Sequence, residues 1–379
     1  MKSFTTGSTY KSRLIGWLSG SMLLVAATLA QADHIRYTIT EIDTLGGTEN
    51  FAYAINNGGE VVGQSRTAGD ASNQSFLFRS DAITSLSPLN SGDVQTVGPT
   101  AINDRGLIAS GVMLNSGYSP AIYDSRRGRI TTLGSLGGVT SFGFSGVATS
   151  INELGEAAGY SYLDAVNFHA FIYSNGVMTD IGSLGGYSAA LGINKRGQVV
   201  GYSADSVSGV AHAFVYRRGV MTEINPFGAP NNESYGEGIN SHGRVVGAGL
   251  NADGTGFRGF VYLTDGSIVD IGTFKRGRNS YAYAINDFNQ VVGVADYPYK
   301  SICPSPRGPV KCVNFAQHGF LFERGVMTDL NTLIDPALGW DLQWAFDINE
   351  EGQVAGYGVR DGKFRAFILT PAARNPITP

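Results

Sequence analysis

The sequence predicts an all-β protein, a seven-bladed β-propeller made of four-stranded antiparallel blades. Three observations support this prediction. An Ile-Asn pair followed by a turn recurs seven times at intervals of 42 to 63 residues, each repeat contains short β-type stretches, and the two ends of the chain hold complementary parts of one repeat. Repeats of about 40 to 50 residues with four strands each are typical of propeller blades.

The turn is the most regular part of the repeat. In "INKRG", we expect the side chain of Asn194 to accept a hydrogen bond from the backbone two residues on, and Gly197 to adopt a positive φ. At the position of Gly197, six repeats have glycine and the remaining repeat has Asn289, which tolerates the same positive φ. The Ile-Asn pairs contain Asn56, Asn103, Asn152, Asn194, Asn240, Asn286 and Asn349.

The four strands of a repeat, named a to d in chain order, are clearest in the fourth repeat as "AALGIN", "QVVGYS", "HAFVYRR" and "VMTEI". In strand a, small residues alternate with large ones such as Tyr53 and Tyr283, a pattern that suits the crowded strands nearest the axis. The seventh repeat has no fourth strand, whereas the segment 35–45 near the chain start resembles one. We therefore expect this segment to complete the last blade and close the ring.

The first 32 residues have the pattern of a signal peptide. Basic residues precede the apolar run "LIGWLSGSMLLVAATLA", and "AQA" provides small residues for cleavage after Ala32. A retained membrane anchor is the alternative, although glycine and serine interrupt the run. We expect a secreted or periplasmic protein with no membrane span after cleavage, one propeller domain over 33–370 and a disordered tail over 371–379.

Charge and composition narrow the function. The chain has 379 residues, 52 of them glycine, and a formal net charge of −4 that becomes −7 without the first 32 residues. Nucleic-acid binding requires basic stripes that neutralise phosphates, so we exclude it. We expect a monomer with no cofactor and no metal. The two cysteines, Cys303 and Cys312, are expected to form a disulfide, because a zinc site would need a second pair of ligands.

The units "HAFIYSNGVMTDIGSLGG" and "INKRGQVVGYS" resemble the repeats of the HAF family of exported bacterial proteins, over nearly all of 35–370. The His-Ala-Phe triplet is intact at 169–171 and 212–214 and altered at 258–260, 318–320 and 365–367. The resemblance implies an exported repeat protein without an assigned chemistry.

The a–b and c–d turns are short and similar, whereas the b–c and d–a connections vary, so we expect a binding function on the variable face. Blade six differs most there, because basic and aromatic residues surround its predicted b–c loop, 296–317. Such residues could bind an acidic or sugar ligand, although a disulfide-stapled solvated loop is the simpler alternative. The candidates are Lys275, Arg276, Arg278, Tyr297, Tyr299, Lys300, Arg307 and Trp340.

Two acidic residues, Glu237 and Asp347, lie on predicted inner strands and are weak catalytic candidates, since paired carboxylates can perform acid–base hydrolysis. The recurring histidines His169, His212 and His318 are expected to form structural hydrogen bonds, because equivalent atoms on different blades are too far apart to share an ion. The predicted function is a non-enzymatic binding scaffold for a cell-envelope or extracellular polysaccharide or protein. A propeller hydrolase or lyase and a purely structural surface protein are the alternatives.

Overall fold

The computed structural model describes residues 36–86, 98–114, 117–141, 143–228, 231, 233–304 and 309–372. These residues form seven four-stranded antiparallel sheets around a central axis, so the predicted seven-bladed propeller is confirmed. The predicted signal peptide and residues 373–379 of the predicted tail lie outside the described residues. Within the described ranges, no helix is long and apolar enough to span a bilayer.

Blades 1 to 4 each contain four consecutive strands, ordered from the axis outward. They are β2 Gly46–Ile55, β3 Val61–Thr67, β4 Asn73–Arg79 and β5 Ala82–Ser85; β6 Ala101–Ile102, β7 Leu107–Leu114, β8 Gly117–Asp124 and β9 Arg129–Thr132; β10 Gly146–Ile151, β11 Ala157–Tyr162, β12 Phe168–Ser174 and β13 Val177–Asp180; and β14 Gly185–Ile193, β15 Val199–Asp205, β16 Ala211–Arg217 and β17 Val220–Ile224.

Blades 5 to 7 follow the same order, except that the outermost strand of blade 7 comes from the chain start. They are β18 Ser234–Ile239, β19 Val245–Leu250, β20 Phe257–Tyr262 and β21 Ile268–Gly272; β22 Ser280–Ile285, β23 Val291–Cys303, β24 Val310–Glu323 and β25 Val326–Asp329; and β26 Trp340–Ile348, β27 Val354–Arg360, β28 Lys363–Pro371 and β1 Tyr37–Glu41. The described part of the chain also contains three short 3₁₀ helices, Ala68–Asp70, Leu330–Thr332 and Pro336–Leu338.

The ring closes as the repeat pattern predicts. Strand β1 pairs antiparallel with β28, with Ile39 opposite Leu369. Glu41 also forms ion pairs with Arg360 at 2.6 Å and Arg365 at 3.2 Å, which fasten the N-terminal strand to blade 7. Strand β28 ends at Pro371, which the sequence had placed in the tail, because β1 extends the pairing that far.

The core lies between adjacent blades and repeats with them. Phenylalanine of the third strand, at Phe171, Phe214 and Phe367 among others, has no exposed surface. It packs against an alanine of its own blade's inner strand and against residues of the preceding blade. Burying a side chain of this size contributes about 2 to 3 kcal/mol. The Phe of the His-Ala-Phe triplet is therefore a central packing residue in six blades, and blade 2 has Ile122 at the equivalent place.

The inner strands contain a bulge that directs one side chain toward the axis. In blade 4 the register with β15 shifts between Ala190 and Gly192, which leaves Leu191 unpaired. A bulge of this kind brings the carbonyl of Ala189 so close to Gly201 that a Cβ there would lie 1.9 Å from the oxygen. The glycine of the "VVG" sequence is thus required by the bulge, in addition to the glycine of the turn.

The seven turn asparagines form a closed hydrogen-bonded ring. As predicted, Asn194 Oδ1 accepts from the backbone N–H of Arg196 at 3.0 Å, and the glycines and Asn289 at the turn have φ between +63° and +86°. In addition, Nδ2 of each asparagine donates to the backbone carbonyl of the equivalent asparagine in the next blade, at 2.8 to 3.1 Å. All seven asparagines are buried, so the turns join the blades to one another.

Candidate functional site

The predicted b–c loop of blade six is a two-stranded arm. Residues 296–303 of β23 pair with 310–317 of β24, and neither segment pairs with another strand. The sequence interpretation as a loop was wrong, because the alternation of aromatic, aliphatic and polar residues in "DYPYKSIC" is that of an extended strand. The predicted disulfide is present, with Cα atoms of Cys303 and Cys312 5.9 Å apart near the tip.

The arm divides the predicted binding residues between two faces. Residues directly opposite in an antiparallel pair share a face, and successive residues alternate. One face therefore contains Tyr297 and Tyr299, and the other contains Lys300, opposite Val313. The ring of Tyr297 stacks on the ring of His318 in the same blade, with centroids 4.2 Å apart, so one side of the tyrosine ring is covered by the protein.

The face of the arm that contains Lys300 is called the cationic face, and it extends to Arg278 in the preceding d–a loop. The guanidinium of Arg278 lies 5.2 Å from the centroid of the Phe315 ring, and Phe315 lies on the same face as Lys300. Lys275 and Arg276 are exposed in the same loop. Asp296 is buried at the base of the arm and accepts hydrogen bonds from the backbone N–H groups of Arg278 and Asn279. This carboxylate is satisfied locally and fixes the loop against the arm.

Another predicted residue, Trp340, does not join this face. Trp340 begins β26 of blade 7, where its ring packs against Phe367 at 6.0 Å and lies under the guanidinium of Arg360 at 5.7 Å. Arg307 lies outside the described residues. The structure therefore brings Arg278 of the d–a loop to the face of the arm that contains Lys300. Tyr297 and Tyr299 lie on the opposite face, where Phe274 of the same loop contacts Tyr297 with ring centroids 6.2 Å apart.

The recurring histidines pair with acidic residues at the end of the fourth strand in their own blade. His169 Nδ1 lies 3.0 Å from Asp180, His212 Nδ1 lies 3.1 Å from Glu223, and His318 Nδ1 lies 2.7 Å from Asp329. In two altered triplets, arginine replaces the histidine and forms the equivalent ion pair, Arg258 with Asp270 and Arg365 with Glu41. These contacts connect the third strand to the fourth, which agrees with the structural role expected for these histidines.

The two acidic candidates, Glu237 and Asp347, line one axial cavity although their blades are not adjacent. The cavity has a volume of about 240 Å³ and is lined by inner-strand residues, including Tyr53, Tyr283 and Phe346. A second cavity, of about 290 Å³, lies on the outer strands of blade 2, where Asp124 already pairs with Arg127. The carboxyl groups of the axial cavity are less satisfied than that of Asp124.

The two carboxyl groups differ in their surroundings. Asp347 accepts hydrogen bonds from the backbone N–H groups of Ile55, in blade 1, and Ile348, both at 2.9 Å. Ser150 occupies the same place in blade 3 and accepts from the N–H of Ile193, so part of the role of Asp347 is to join blades. Burial raises the pKa of Asp347 to about 6 despite these bonds.

Glu237 lies at the bulge of β18, where its side chain faces the cavity. Among the residues that the structure describes, it has no hydrogen bond or ion pair. Burial raises its pKa to about 7, because nothing nearby compensates for the lost hydration of the charge. Glu237 is the one of the two carboxyl groups that is available to a ligand.

No family model matches the sequence, and no curated protein matches it either. Solved structures with a similar fold include the β-propeller domain of the Trilobed protease from Pyrococcus furiosus, at 11% identity, covering 86% of this chain and 98% of that chain with a TM-score of 0.50. TolB from Acinetobacter baumannii has 11% identity, 91% and 82% coverage and a TM-score of 0.37. A gluconolactonase from Xanthomonas campestris has 12% identity, 69% and 88% coverage and a TM-score of 0.38. At these identities the similarity shows the fold alone.

Proposed function

We propose that this chain is an exported, non-enzymatic binding scaffold whose blade-six arm recognises an acidic polysaccharide of the cell envelope or its surroundings. The observation that supports it best is the cationic face of the arm. Five exposed basic residues lie on the arm and the adjacent d–a loop, and the described part of these segments contains no acidic residue except the buried Asp296. They are Lys275, Arg276, Arg278, Lys300 and Lys311.

This charge distribution is unusual for a chain with a formal net charge of −4. A local basic surface on an acidic protein attracts anionic ligands while the rest of the molecule repels them, which orients the encounter. The cationic face also has apolar side chains between its charges, including Ile302, of which 70% is exposed. Apolar groups of this kind can contact the C–H faces of sugar rings.

Export is part of the proposal. A signal peptide is predicted, and a disulfide is stable mainly in oxidising compartments such as the periplasm or the cell exterior. The disulfide at the tip fixes the arm without contributing to the contacts between blades, which is consistent with an arm that serves binding.

The test measures affinity for polygalacturonate, with neutral dextran as the control polymer, over a series of salt concentrations. We expect binding to polygalacturonate that weakens with salt, because exposed charges are screened over about 8 Å at physiological ionic strength. Replacing both Lys300 and Lys311 by alanine should weaken it about three- to tenfold and flatten the salt dependence, as should Arg276→Ala with Arg278→Ala.

Two matched variants serve as controls. Tyr299→Ala changes the opposite face of the arm, and Lys195→Ala removes an exposed cation from the a–b turn face. Both should leave affinity unchanged. A loss with Lys195→Ala equal to the loss on the cationic face would refute the assignment. Equal affinity for polyglutamate would favour an acidic protein as the ligand, and equal binding of dextran would exclude charge recognition.

A further inference from the structure

The axial cavity is a second, separate candidate site, and its geometry follows from the strand bulges. Six inner strands contain a bulge that directs one side chain toward the axis, and blade 2 contributes Thr100, which lies just before β6, so every blade adds a residue to the lining at this level. These residues are Tyr53, Thr100, Thr149, Leu191, Glu237, Tyr283 and Phe346. At about 240 Å³, the cavity is slightly smaller than typical ligand sites, which suits a small molecule.

The cavity is electronegative. Among the residues that the structure describes, its lining includes two carboxyl groups and no lysine, arginine or histidine. Asp347 is partly compensated by two backbone N–H groups, whereas Glu237 has no partner among the described residues. Glu237 is partly buried, and the loss of hydration disfavours its charged form. A bound cation would supply the compensation that the protein does not.

One wall of the cavity is aromatic. The ring of Phe346 lies between two tyrosines, 5.3 Å from Tyr283 and 5.8 Å from Tyr53, measured between ring centroids. Trp344, which does not line the cavity, stacks on Tyr283 at 6.0 Å and supports that ring. The electron-rich faces of such rings attract cations, and several rings together form the cages that bind organic ammonium groups.

We propose that the axial cavity binds a small organic ammonium ion, with its charge paired to Glu237 and its alkyl groups against Tyr53, Tyr283 and Phe346. A metal ion fits this lining less well, because the described residues contain no group of three or more potential metal ligands. An anion is excluded by the carboxyl groups. The inference does not depend on the arm, which lies outside the axis.

The affinity of the axial cavity for a cation should depend on pH. The groups facing Glu237 are Tyr202 and Tyr283, whose pKa values are raised by burial and by the charge of Glu237, and Asp347 in the same cavity. Because burial holds the pKa of Glu237 at about 7, the ionised fraction rises about tenfold between pH 6 and pH 8. The affinity for a cation should rise by a similar factor.

The experiment is calorimetric titration of the full chain with choline and with its neutral isostere 3,3-dimethylbutan-1-ol. We expect choline to bind about tenfold more tightly than the alcohol at pH 8, and the difference to disappear near pH 5. Tetramethylammonium and butylammonium, as further probes, distinguish a quaternary from a primary ammonium site.

Variants locate the site within the cavity. Glu237→Gln should reduce choline affinity about tenfold and abolish most of the rise between pH 6 and pH 8, without changing affinity for the alcohol. Tyr283→Leu should weaken choline about threefold. Glu351→Gln makes the same chemical change at an exposed a–b turn and should have no effect.

Equal affinities for choline and the alcohol would overturn the proposal, as would choline binding that Glu237→Gln leaves unchanged. Absence of measurable binding for all three ammonium ions at tens of millimolar would overturn it as well. Binding of polygalacturonate is measured independently, so failure of the cavity site and failure of the arm site are distinguishable.

Discussion

The ring of turn asparagines makes the sharpest prediction about stability. In blade 4, Asn194 is buried and makes four hydrogen bonds. Its Nδ2 donates to the carbonyl of Asn240 in blade 5 at 2.9 Å and to Gln198 Oε1 at 2.8 Å, and its Oδ1 accepts from the N–H groups of Arg196 and Gln198 at 3.0 and 3.1 Å. Asn194→Ala removes all four and leaves buried polar groups without these partners.

The expected loss of stability in Asn194→Ala follows from the number of hydrogen bonds that are lost. A typical hydrogen bond contributes about 1 kcal/mol net, and a buried group left unsatisfied costs about 1 to 3 kcal/mol. We expect Asn194→Ala to lower the free energy of unfolding by about 3 to 4 kcal/mol, which is large for a single substitution. Urea denaturation followed by circular dichroism measures this quantity.

Asn251→Ala is the matched control, because Asn251 caps a turn without joining two blades. Its Oδ1 accepts from the N–H of Thr255 at 2.9 Å, and the turn lies within blade 5. We expect a loss of about 1 kcal/mol. If the two variants lose the same stability, the bond between blades contributes nothing measurable, and the asparagine repeats only because it suits the turn.

Four further predictions concern the fold. Gly201→Ala should destabilise the protein by more than 2 kcal/mol in the same denaturation assay, since its Cβ would lie 1.9 Å from a backbone oxygen. Removing β1 should expose an edge of blade 7 and cause aggregation visible in size-exclusion chromatography, whereas removing residues 373–379 should not. Replacing Cys303 and Cys312 by serine should leave the ring's melting temperature within about 2 °C, because the arm lies outside the blades. Glu237→Gln should flatten the pH dependence of stability: a raised pKa means that the native carboxyl favours the folded protein at low pH and loses that advantage as pH rises from about 5 through 7.

Much of the fold was predictable because it is repeated. A single "INKRG" turn would be a weak signal, but seven copies defined the blades, and the missing fourth strand of the last repeat predicted the closure that β1 makes with β28. The bond from Asn194 to the next blade was not predictable. A turn asparagine has the same sequence signature whether its Nδ2 faces solvent or another blade, and only the ring places a carbonyl 2.9 Å away.

The candidate site was predicted less completely, since its geometry depends on features that occur once. The basic residues of blade six were identified, but a two-stranded arm separates residues of odd and even number, so Tyr299 and Lys300 face opposite ways. Glu237 and Asp347 were predicted to lie on inner strands, but their blades are not neighbours, so the sequence did not show that they line one cavity. An axial cavity brings non-adjacent blades together, and a linear repeat does not display that relation.

The two faces of the propeller therefore differ in how freely their residues can be substituted. On the a–b turn face, each asparagine serves its own turn and the next blade at once, so a change in one repeat disturbs two neighbours. On the opposite face, the arm of blade six has strands 13 and 14 residues long, and no corresponding closed ring is present among the described residues. Residues on the arm can change without altering the contacts between blades. The same small turn is needed seven times because it holds the ring together, whereas the connections on the other face can vary in length and sequence.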